Sequence, residues 1–290
     1  MENLYDKTRF ILKKYNLSAN KKLGQNFLIN DDVVDSIVEA ADVSKEDLVI
    51  EIGPGLGNLT EYLLDRAGKV VAIELDDRMI QILNDRFSLY DNFELISKDV
   101  LTVDLAELIK KNKNDKITNV KIVANLPYYI TTPIIMKLLE DRLDIDSITV
   151  MIQKEVADRI VAAPGSKLAG AITYSVYYFA TSESITIVEN NSFIPEPAVR
   201  SEVIKLSIRK EPPVKLEDEA EFFRLLRGIF TQRRKTLINT MVNGGFISDK
   251  EKAKSIFDIL GLDYNTRGET LTVEQFAEIS NYLVANKNKI

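Results

Sequence analysis

The sequence predicts an α/β fold in which a mostly parallel sheet is followed by a small helical domain. Short runs of apolar and β-branched residues recur between residues 48 and 208, and stretches with helical periodicity separate them. Strands that alternate with helices favour a parallel sheet covered on both faces. After Pro212-Pro213 the apolar pattern becomes helical, and capping-box patterns at 248–251 and 272–275 precede apolar runs. A second, all-helical domain is therefore expected.

The predicted elements follow from these patterns in chain order. The predicted strands cover residues 48–52, 69–74, 93–97, 120–124, 147–153, 171–180 and 203–208. The predicted helices cover residues 32–41, 59–67, 78–90 and 105–111. Another helix starts at Thr132 or Pro133, because proline is tolerated in a first helical turn. These elements predict one domain over residues 1–210 and a helical domain over residues 214–290.

Composition argues against several classes of protein. Apolar residues make up 45% of the 290 residues, which is enough for a substantial core. The absence of Cys and His argues against disulfides, a zinc site, and Cys–His or Ser–His–Asp catalysis. No apolar run reaches the roughly 20 residues of a membrane helix, and the first residues do not resemble a signal peptide. We expect a cytoplasmic protein with no metal and no membrane partner.

Charge is unevenly distributed along the chain. The net charge is -6, yet residues 1–30 form a basic arm of net charge +4, whereas residues 31–120 carry -10. Residues 222–242 contain five cations and no acid. Local field, rather than total charge, determines contacts with phosphates. The two basic segments are therefore candidates for contacts with a nucleic acid.

The cations of the second basic segment differ in how closely they cluster. Arg233, Arg234 and Lys235 are consecutive and are predicted to contact a nucleic-acid backbone. Arg224 and Arg227 fit a solvated helix face as well as they fit a phosphate contact.

A glycine-rich turn follows the first strand of the sheet. Gly53, Gly55 and Gly57 alternate with Pro54 and Leu56 between that strand and the next helix. Glycine allows a positive φ and lets the backbone approach a ligand closely. Gly53 and Gly55 are therefore predicted to line a cofactor pocket.

Acidic residues end the next two strands. Glu74 can accept hydrogen bonds from both hydroxyls of a ribose, as acids at this position of a nucleotide-binding sheet do. Asp99 can accept from the amino group of an adenine, and Val100 is assigned to the same pocket. The set suits a cofactor that carries adenosine.

The turn favours S-adenosylmethionine over NAD. A dinucleotide fingerprint would read G-x-G-x-x-G, whereas the glycines here are evenly spaced. A pyrophosphate requires backbone N–H donors, and Pro54 has none. S-adenosylmethionine has no phosphate, so the turn fits it better.

The segment Asn125-Leu126-Pro127-Tyr128 follows another strand and predicts a site for an amino-bearing base. The Asn125 side-chain oxygen and the backbone carbonyl of Pro127 or Leu126 can accept from an exocyclic amine, and Tyr128 can stack on the base. Those acceptors would orient the nitrogen lone pair towards a methyl group, which requires no general base. Phe193 is the candidate for the opposite face of the base.

These motifs, taken in order, resemble the small-subunit ribosomal RNA adenine-N6,N6-dimethyltransferases. The landmarks that carry the resemblance are KLGQNFL from Lys22, EIGPGLGNLT from Glu51, Glu74, Asp99, NLPY from Asn125, QKEVA from Gln153, FIPEP from Phe193, FTQRRKTL from Phe230 and RGE from Arg267. One departure is Ala169, where relatives often carry an aromatic residue.

The resemblance implies an architecture, a substrate and further site residues. It implies a Rossmann-like class I methyltransferase domain with a small C-terminal helical domain that contacts RNA. It implies two adjacent adenines near the 3′ end of 16S rRNA as the substrate, within a 30S particle. It also implies that Asn26 and Leu28 line the cofactor pocket and that Lys21 and Lys22 face RNA. We expect the protein to act as a monomer.

Three alternatives remain open from the sequence. The first is a large-subunit rRNA adenine methyltransferase with the same chemistry. The second is a non-enzymatic RNA-binding factor on a methyltransferase scaffold, and the third is an NAD oxidoreductase.

Overall fold

The computed structural model describes residues 3–20 and 24–287. Nine strands lie in this part of the chain: β1 Phe27–Leu28, β2 Asp47–Ile52, β3 Lys69–Glu74, β4 Phe93–Ser97, β5 Asn119–Asn125, β6 Ser147–Gln153, β7 Ala180–Val188, β8 Phe193–Ile194 and β9 Ser201–Ile208. The helices of the first half are α1 Leu4–Lys14, α2 Asp31–Ala41, α3 Asn58–Arg66, α4 Asp77–Phe87, α5 Leu105–Asn112 and α6 Thr131–Glu140. Those that follow are α7 Lys154–Val161, α8 Ala171–Phe179, α9 Glu219–Phe230, α10 Leu237–Asn243, α11 Lys250–Leu260 and α12 Val273–Ala285.

Seven strands form one sheet in the order β4-β3-β2-β5-β6-β9-β7. The pairs among β4, β3, β2, β5 and β6 are parallel, whereas β9 runs antiparallel to β6. Every residue of β2 is buried, as expected for a parallel strand covered on both faces. The α/β fold predicted from the sequence is therefore confirmed, as a Rossmann-like sheet.

The strand order places a switch point between β2 and β5. From β2 the chain proceeds outwards through β3 and β4, and it then returns to add β5 on the other side of β2. In open α/β sheets, ligands bind in the crevice at the carboxyl ends of the strands at such a point. The glycine turn follows β2 there, and Asn125 ends β5 there.

The chain divides into two compact units. The first comprises residues 1–157 and 181–208, and the second comprises residues 158–180 and 209–290. The sequence put the division at residue 210 and assigned residues 158–180 to the first domain. The structure instead groups them with the C-terminal helices, because α8 packs among those helices.

The predicted strand at 171–180 is wrong, since residues 171–179 form helix α8. Its Tyr174 ring lies 4.7 Å from the ring of Phe276, and its hydroxyl donates to the Leu271 carbonyl at 2.6 Å. The Tyr178 hydroxyl donates to Glu219 at 2.6 Å. Aromatic and β-branched residues favour strands, but burial among helices outweighs that preference here.

The basic arm contains a helix that the sequence did not predict. Helix α1 buries Leu4, Thr8 and Ile11. The Thr8 hydroxyl accepts a buried hydrogen bond of 2.8 Å from Asn58 at the start of α3. Lys7 forms an ion pair of 2.6 Å with Glu61 on the same helix. These contacts hold the arm against the first turn of α3, beside the glycine turn.

Candidate active site

A cavity lies at the carboxyl ends of β2, β3 and β5. It encloses about 1120 Å³ of empty space, including its open mouth. Most of its lining comes from four segments of the chain: residues 24–28, the glycine turn with Glu51, the ends of β3 and β4, and residues 125–130. The folding of the sheet therefore brings together motifs that are about a hundred residues apart in the sequence.

The glycine turn requires glycine for two separate reasons. Gly53, Gly55 and Gly57 have φ values of +66°, +58° and +81°, a region that side chains disfavour. At Gly57 a Cβ would also lie 2.4 Å from Cε2 of Phe87, so α4 packs directly on this glycine. Gly53 and Gly55 line the cavity, and their contact with a cofactor stays a prediction.

Glu74 is fixed at the end of β3 by three backbone amides. Its Oε1 accepts from Leu75 and Asp76 at 2.8 and 2.9 Å, and its Oε2 accepts from Gly55 at 3.1 Å. Burial raises the pKa of this carboxyl, while the three N–H donors act in the opposite direction. Each carboxylate oxygen can accept more than one hydrogen bond, so Oε2 retains capacity for a ligand hydroxyl.

Asp99 and Val100 follow β4 and line the same cavity. The Asp99 Oδ1 accepts from the Leu101 amide at 2.9 Å and so caps a short 3-10 turn. Val100, the first residue of that turn, is buried. The cap orients the half-buried carboxyl of Asp99 beside the cavity.

Residues 24–28 form another wall. Asn26 and Leu28 both line the cavity. The Asn26 carbonyl accepts from the Asn125 side-chain amide at 3.4 Å, and the Leu28 carbonyl accepts from Asn58 at 2.8 Å. These bonds attach the segment to the ends of β5 and of the glycine turn.

The carbonyls of Leu126 and Pro127, which follow β5, differ in the hydrogen bonds that they accept. The Pro127 carbonyl accepts from the Ile130 amide at 3.2 Å and from the Thr131 hydroxyl at 3.0 Å. The Leu126 amide donates to Met151 at 3.1 Å, and no donor among the described residues of this turn reaches the Leu126 carbonyl. Of the two carbonyls that the sequence left open, Leu126 is therefore the better acceptor for an exocyclic amine.

Tyr128 has a fixed orientation at the cavity wall. Its hydroxyl and the Ser201 hydroxyl lie 2.6 Å apart, and Ser201 is fully buried at the start of β9. Burial raises the pKa of the Tyr128 phenol, and the Ser201 contact partly opposes that rise. Tyr128 thus lines the cavity, and the contact of its hydroxyl with Ser201 fixes the orientation of its ring.

Comparison with known proteins identifies the family. The model of the family described as "Ribosomal RNA adenine dimethylase" matches residues 16–285. A "Ribosomal RNA small subunit methyltransferase A" from Geobacillus sp. (strain WCH70) is 49% identical, with 96% of each chain covered. One of the same name from Clostridium botulinum is 47% identical, with 94% of this chain and 97% of that protein covered.

The chain belongs to the ribosomal RNA adenine dimethylase family. A crystal structure of a dimethyladenosine transferase from Plasmodium falciparum covers 91% of this chain and 98% of its own, with a TM-score of 0.72 and 28% identity. The structure of the 23S rRNA methyltransferase ErmE, at 24% identity, has a TM-score of 0.66 and covers 89% and 100% of the two chains. That second likeness concerns the fold alone. The small-subunit reading of the sequence therefore rests on the curated relatives.

Phe193 does not line the cavity of this rRNA adenine dimethylase, contrary to its predicted role as a clamp on the base. Strand β8 pairs antiparallel with β1, which sets Phe193 opposite Leu28. Only 2% of Phe193 is exposed, and its side chain belongs to the core cluster around Val34 and Ile37. A ring enclosed in this way cannot stack on a base in this conformation.

Glu51 is a site residue that the sequence reasoning did not assign. It lines the cavity and is 1% exposed, and its Oε2 has no hydrogen-bond partner within residues 3–20 and 24–287. Burial raises the pKa of Glu51 to about 8, and the neighbouring negative charge of Glu74 adds to the rise. The available signal is its position two residues before Gly53, but the apolar run around it indicates only a strand.

The predicted RNA contacts have different environments. Lys21 and Lys22 lie outside the described residues. Arg233 donates to the carbonyls of Lys167 and Ala169 at 3.0 and 2.9 Å, so its guanidinium holds a loop of its own unit. Arg234 and Lys235 are exposed. The RNA role of this cluster remains a prediction.

A membrane-spanning helix and a metal-binding cluster are both absent from the described residues. Within residues 3–20 and 24–287, no helix is both long and apolar enough to cross a membrane. The same residues contain no cluster of three or more acidic side chains that could hold a metal ion.

Proposed function

We propose that the protein transfers methyl groups from S-adenosylmethionine to N6 of two adjacent adenines near the 3′ end of 16S rRNA, within a 30S particle. The product would be N6,N6-dimethyladenine. The observation that carries the proposal is that Asn125 and Leu126, which can supply a side-chain and a backbone oxygen as acceptors, line the same cavity as Glu74 and the glycine turn. The groups that would bind the target adenine and those that would bind the adenosine of the cofactor therefore line one cavity.

The residues of the cavity fit S-adenosylmethionine better than a dinucleotide. Glu74 offers a fixed carboxylate for ribose hydroxyls, and Asp99 offers one for an adenine amine. A pyrophosphate in this cavity would face the carboxyls of Glu74 and Asp99, whereas a ligand with an ammonium group and a sulfonium would be attracted to them. When bound, S-adenosylmethionine supplies an electrophilic methyl group.

The protein's part in the chemistry is to orient a weak nucleophile. The lone pair of adenine N6 is delocalised into the ring. The Asn125 side-chain oxygen and the Leu126 carbonyl would accept hydrogen bonds from N6–H and hold that nitrogen with its lone pair directed away from the acceptors. The same carbonyl dipoles would stabilise positive charge as it develops on N6. Tyr128, held by Ser201, would carry the extruded base.

The product nitrogen needs no general base from the protein. A methylated adenine amine that carries positive charge is acidic and can lose its proton to water. This fits a cavity whose lining contains carboxyl groups but no imidazole, in a chain without His.

The experiment is a methyl-transfer assay on undermethylated 30S particles and on 23S rRNA, with mass spectrometry of the product. We expect N6,N6-dimethyladenine at two adjacent positions of 16S rRNA and none in 23S rRNA. Asn125→Ala should lose at least 100-fold in turnover, as removal of one preorganised polar group at a reacting centre does. The exposed Asn84→Ala on α4 is the matched control and should behave as the unmodified protein.

The outcomes separate the alternatives. Methylation of 23S rRNA alone would replace the proposed substrate by the large-subunit one. RNA binding without methylation would indicate a non-enzymatic factor. Full turnover by Asn125→Ala would refute the proposed role of that side chain.

A further inference from the structure

Tyr129 is an exposed aromatic residue in the active cavity that the proposed chemistry does not use. It follows Tyr128 in the same short 3-10 turn and lines the same cavity. Whereas Tyr128 is half-buried and bonded to Ser201, 58% of Tyr129 is exposed. Its hydroxyl makes no hydrogen bond to any residue in the described part of the chain. A large ring is thus presented to solvent at the mouth of the site.

The chain supports this ring from one side. Gly24 has a φ of +61°, and a Cβ built on it would lie 3.4 Å from Cδ1 of Tyr129. A Cβ at this position would be in ordinary van der Waals contact with the ring, so the backbone of the N-terminal wall lies close to this side of Tyr129. Tyr129 is backed by protein on this side, and most of its remaining surface is open.

On the basis of the proposed function, we propose that Tyr129 is the stacking platform for the nucleotide next to the adenine in the cavity. When one of two adjacent adenines enters the cavity, its neighbour remains one phosphodiester away, at the mouth. Tyr129 is one residue beyond Tyr128, so the two rings are placed to receive consecutive bases. Bases of any sequence stack on aromatic side chains, and the energy is sufficient to affect substrate affinity.

The inference predicts a defect in substrate binding rather than in chemistry. Tyr129→Ala should raise the KM for undermethylated 30S particles by about 5- to 150-fold, the range that corresponds to loss of stacking on one base. The kcat at saturation and the rise in melting temperature with S-adenosylmethionine should not change. Tyr129→Phe keeps the ring and should retain the original KM.

Tyr129→Leu distinguishes RNA stacking from an apolar contact with a protein of the particle. Leucine keeps an apolar side chain but has no aromatic face. If the ring stacks on a base, Leu should show the same defect as Ala. A KM for Leu close to that of the unmodified protein would overturn the inference in favour of a protein contact.

A modified substrate makes the test specific to the neighbouring base. In particles whose 16S rRNA carries an abasic nucleotide at one of the two target positions, the unmodified protein should methylate the remaining adenine with a raised KM. Tyr129→Ala should add no further loss there, because a contact that is already absent cannot be removed twice. Two results would overturn the inference, provided that the unmodified protein is active. One is a further rise in KM for Tyr129→Ala on the abasic particle, and the other is an unchanged KM for Tyr129→Ala on the normal particle. Absence of methylation by the unmodified protein would instead overturn the proposed function, and the inference with it.

Discussion

At the scale of single residues, the active cavity contains a buried acid, Glu51, one oxygen of which has no hydrogen-bond partner among the described residues. Glu51 is 1% exposed, and its pKa is raised to about 8 by burial and by the charge of Glu74. An unfolded chain would ionise this group near its ordinary value of 4.5. Between these two values the folded protein holds a proton that the unfolded chain has lost.

This difference in proton binding makes the free energy of unfolding depend on pH. Because the folded state binds the extra proton, the Glu51 contribution to the free energy of unfolding falls as pH rises from about 4.5 to about 8, by about 1.4 kcal/mol per pH unit. Glu51→Gln keeps the shape and removes the titration. Urea unfolding should show the variant gaining stability relative to the unmodified protein between pH 5 and 8. The exposed Glu39→Gln serves as control, and a pH-independent difference for Glu51→Gln would contradict the prediction.

Ser201 is predicted to act as a positioning residue for Tyr128. Ser201→Ala removes the 2.6 Å contact to the Tyr128 hydroxyl, so the ring loses its fixed orientation. We expect kcat for methyl transfer to fall by about tenfold, since small displacements at a reacting centre cost that much or more. The rise in melting temperature with S-adenosylmethionine should be unchanged.

The partner of Ser201 provides a check on that role. If the hydroxyl pair acts as a unit, Tyr128→Phe combined with Ser201→Ala should be no slower than the slower single variant. Ser207→Ala, at the other end of β9, is the matched control. Multiplicative losses in the double variant would show that Ser201 acts independently of Tyr128.

The site residues that the sequence could predict share one property. Glu74, Asp99 and Asn125 each stand at or just after the carboxyl end of a parallel strand, so recognising the strands was enough to place them at one edge of the sheet. Phe193 could not be placed in that way. Its burial depends on the pairing of β8 with β1, which joins residues that are distant in the sequence.

At the scale of secondary-structure elements, the entry into α3 depends on close packing of α4. Gly57 precedes α3, and a Cβ there would lie 2.4 Å from Phe87 on α4. Gly53, in the same turn, has a similar φ, but its Cβ would lie 3.8 Å from Pro127, at an ordinary contact distance. The two glycines therefore differ in packing while sharing a backbone requirement.

This difference predicts unequal effects of alanine. Gly53→Ala should lower the free energy of unfolding by about 1–2 kcal/mol, the cost of a side chain in the left-handed region. Gly57→Ala should cost about 1–3 kcal/mol more, because the ring of Phe87 must move. Urea unfolding without cofactor measures both. Equal losses would mean that α4 adjusts to the added methyl group at no cost.

Helix α8 shows where local sequence was insufficient. The segment AITYSVYYFA is rich in residues that favour strands, and residues 173–176 are all buried. A helix buried on most of its surface has no polar face, so its sequence lacks the 3.6-residue period. The contacts that decide its conformation come from Phe276 and Leu271, about a hundred residues later in the chain.

At the scale of the whole molecule, the protein has a net charge of -6, yet its proposed substrate is an RNA, which is also negatively charged. The acidic surplus lies in residues 31–120, so RNA contacts are expected from other segments. In the second unit, Arg224 is paired with Glu221 at 2.7 Å and lies 4.3 Å from the ring of Phe246. Arg233 is engaged with backbone carbonyls. Arg234 and Lys235 are therefore the best candidates in their cluster for phosphate contacts.

Alanine variants of Arg233, Arg234 and Lys235 should differ in how salt affects their binding to 30S particles. Each phosphate contact contributes about 0.7–0.9 to the slope of log affinity against log salt concentration. Arg234→Ala and Lys235→Ala should each weaken binding to 30S particles and reduce that slope by about 1, with unfolding unchanged. Arg233→Ala should instead destabilise the fold, because the carbonyls of Lys167 and Ala169 lose their donor. Binding at several salt concentrations, with thermal unfolding of each variant, measures both effects. A reduced slope for Arg233→Ala, with no loss of stability, would reverse the assignment and make that arginine the RNA contact.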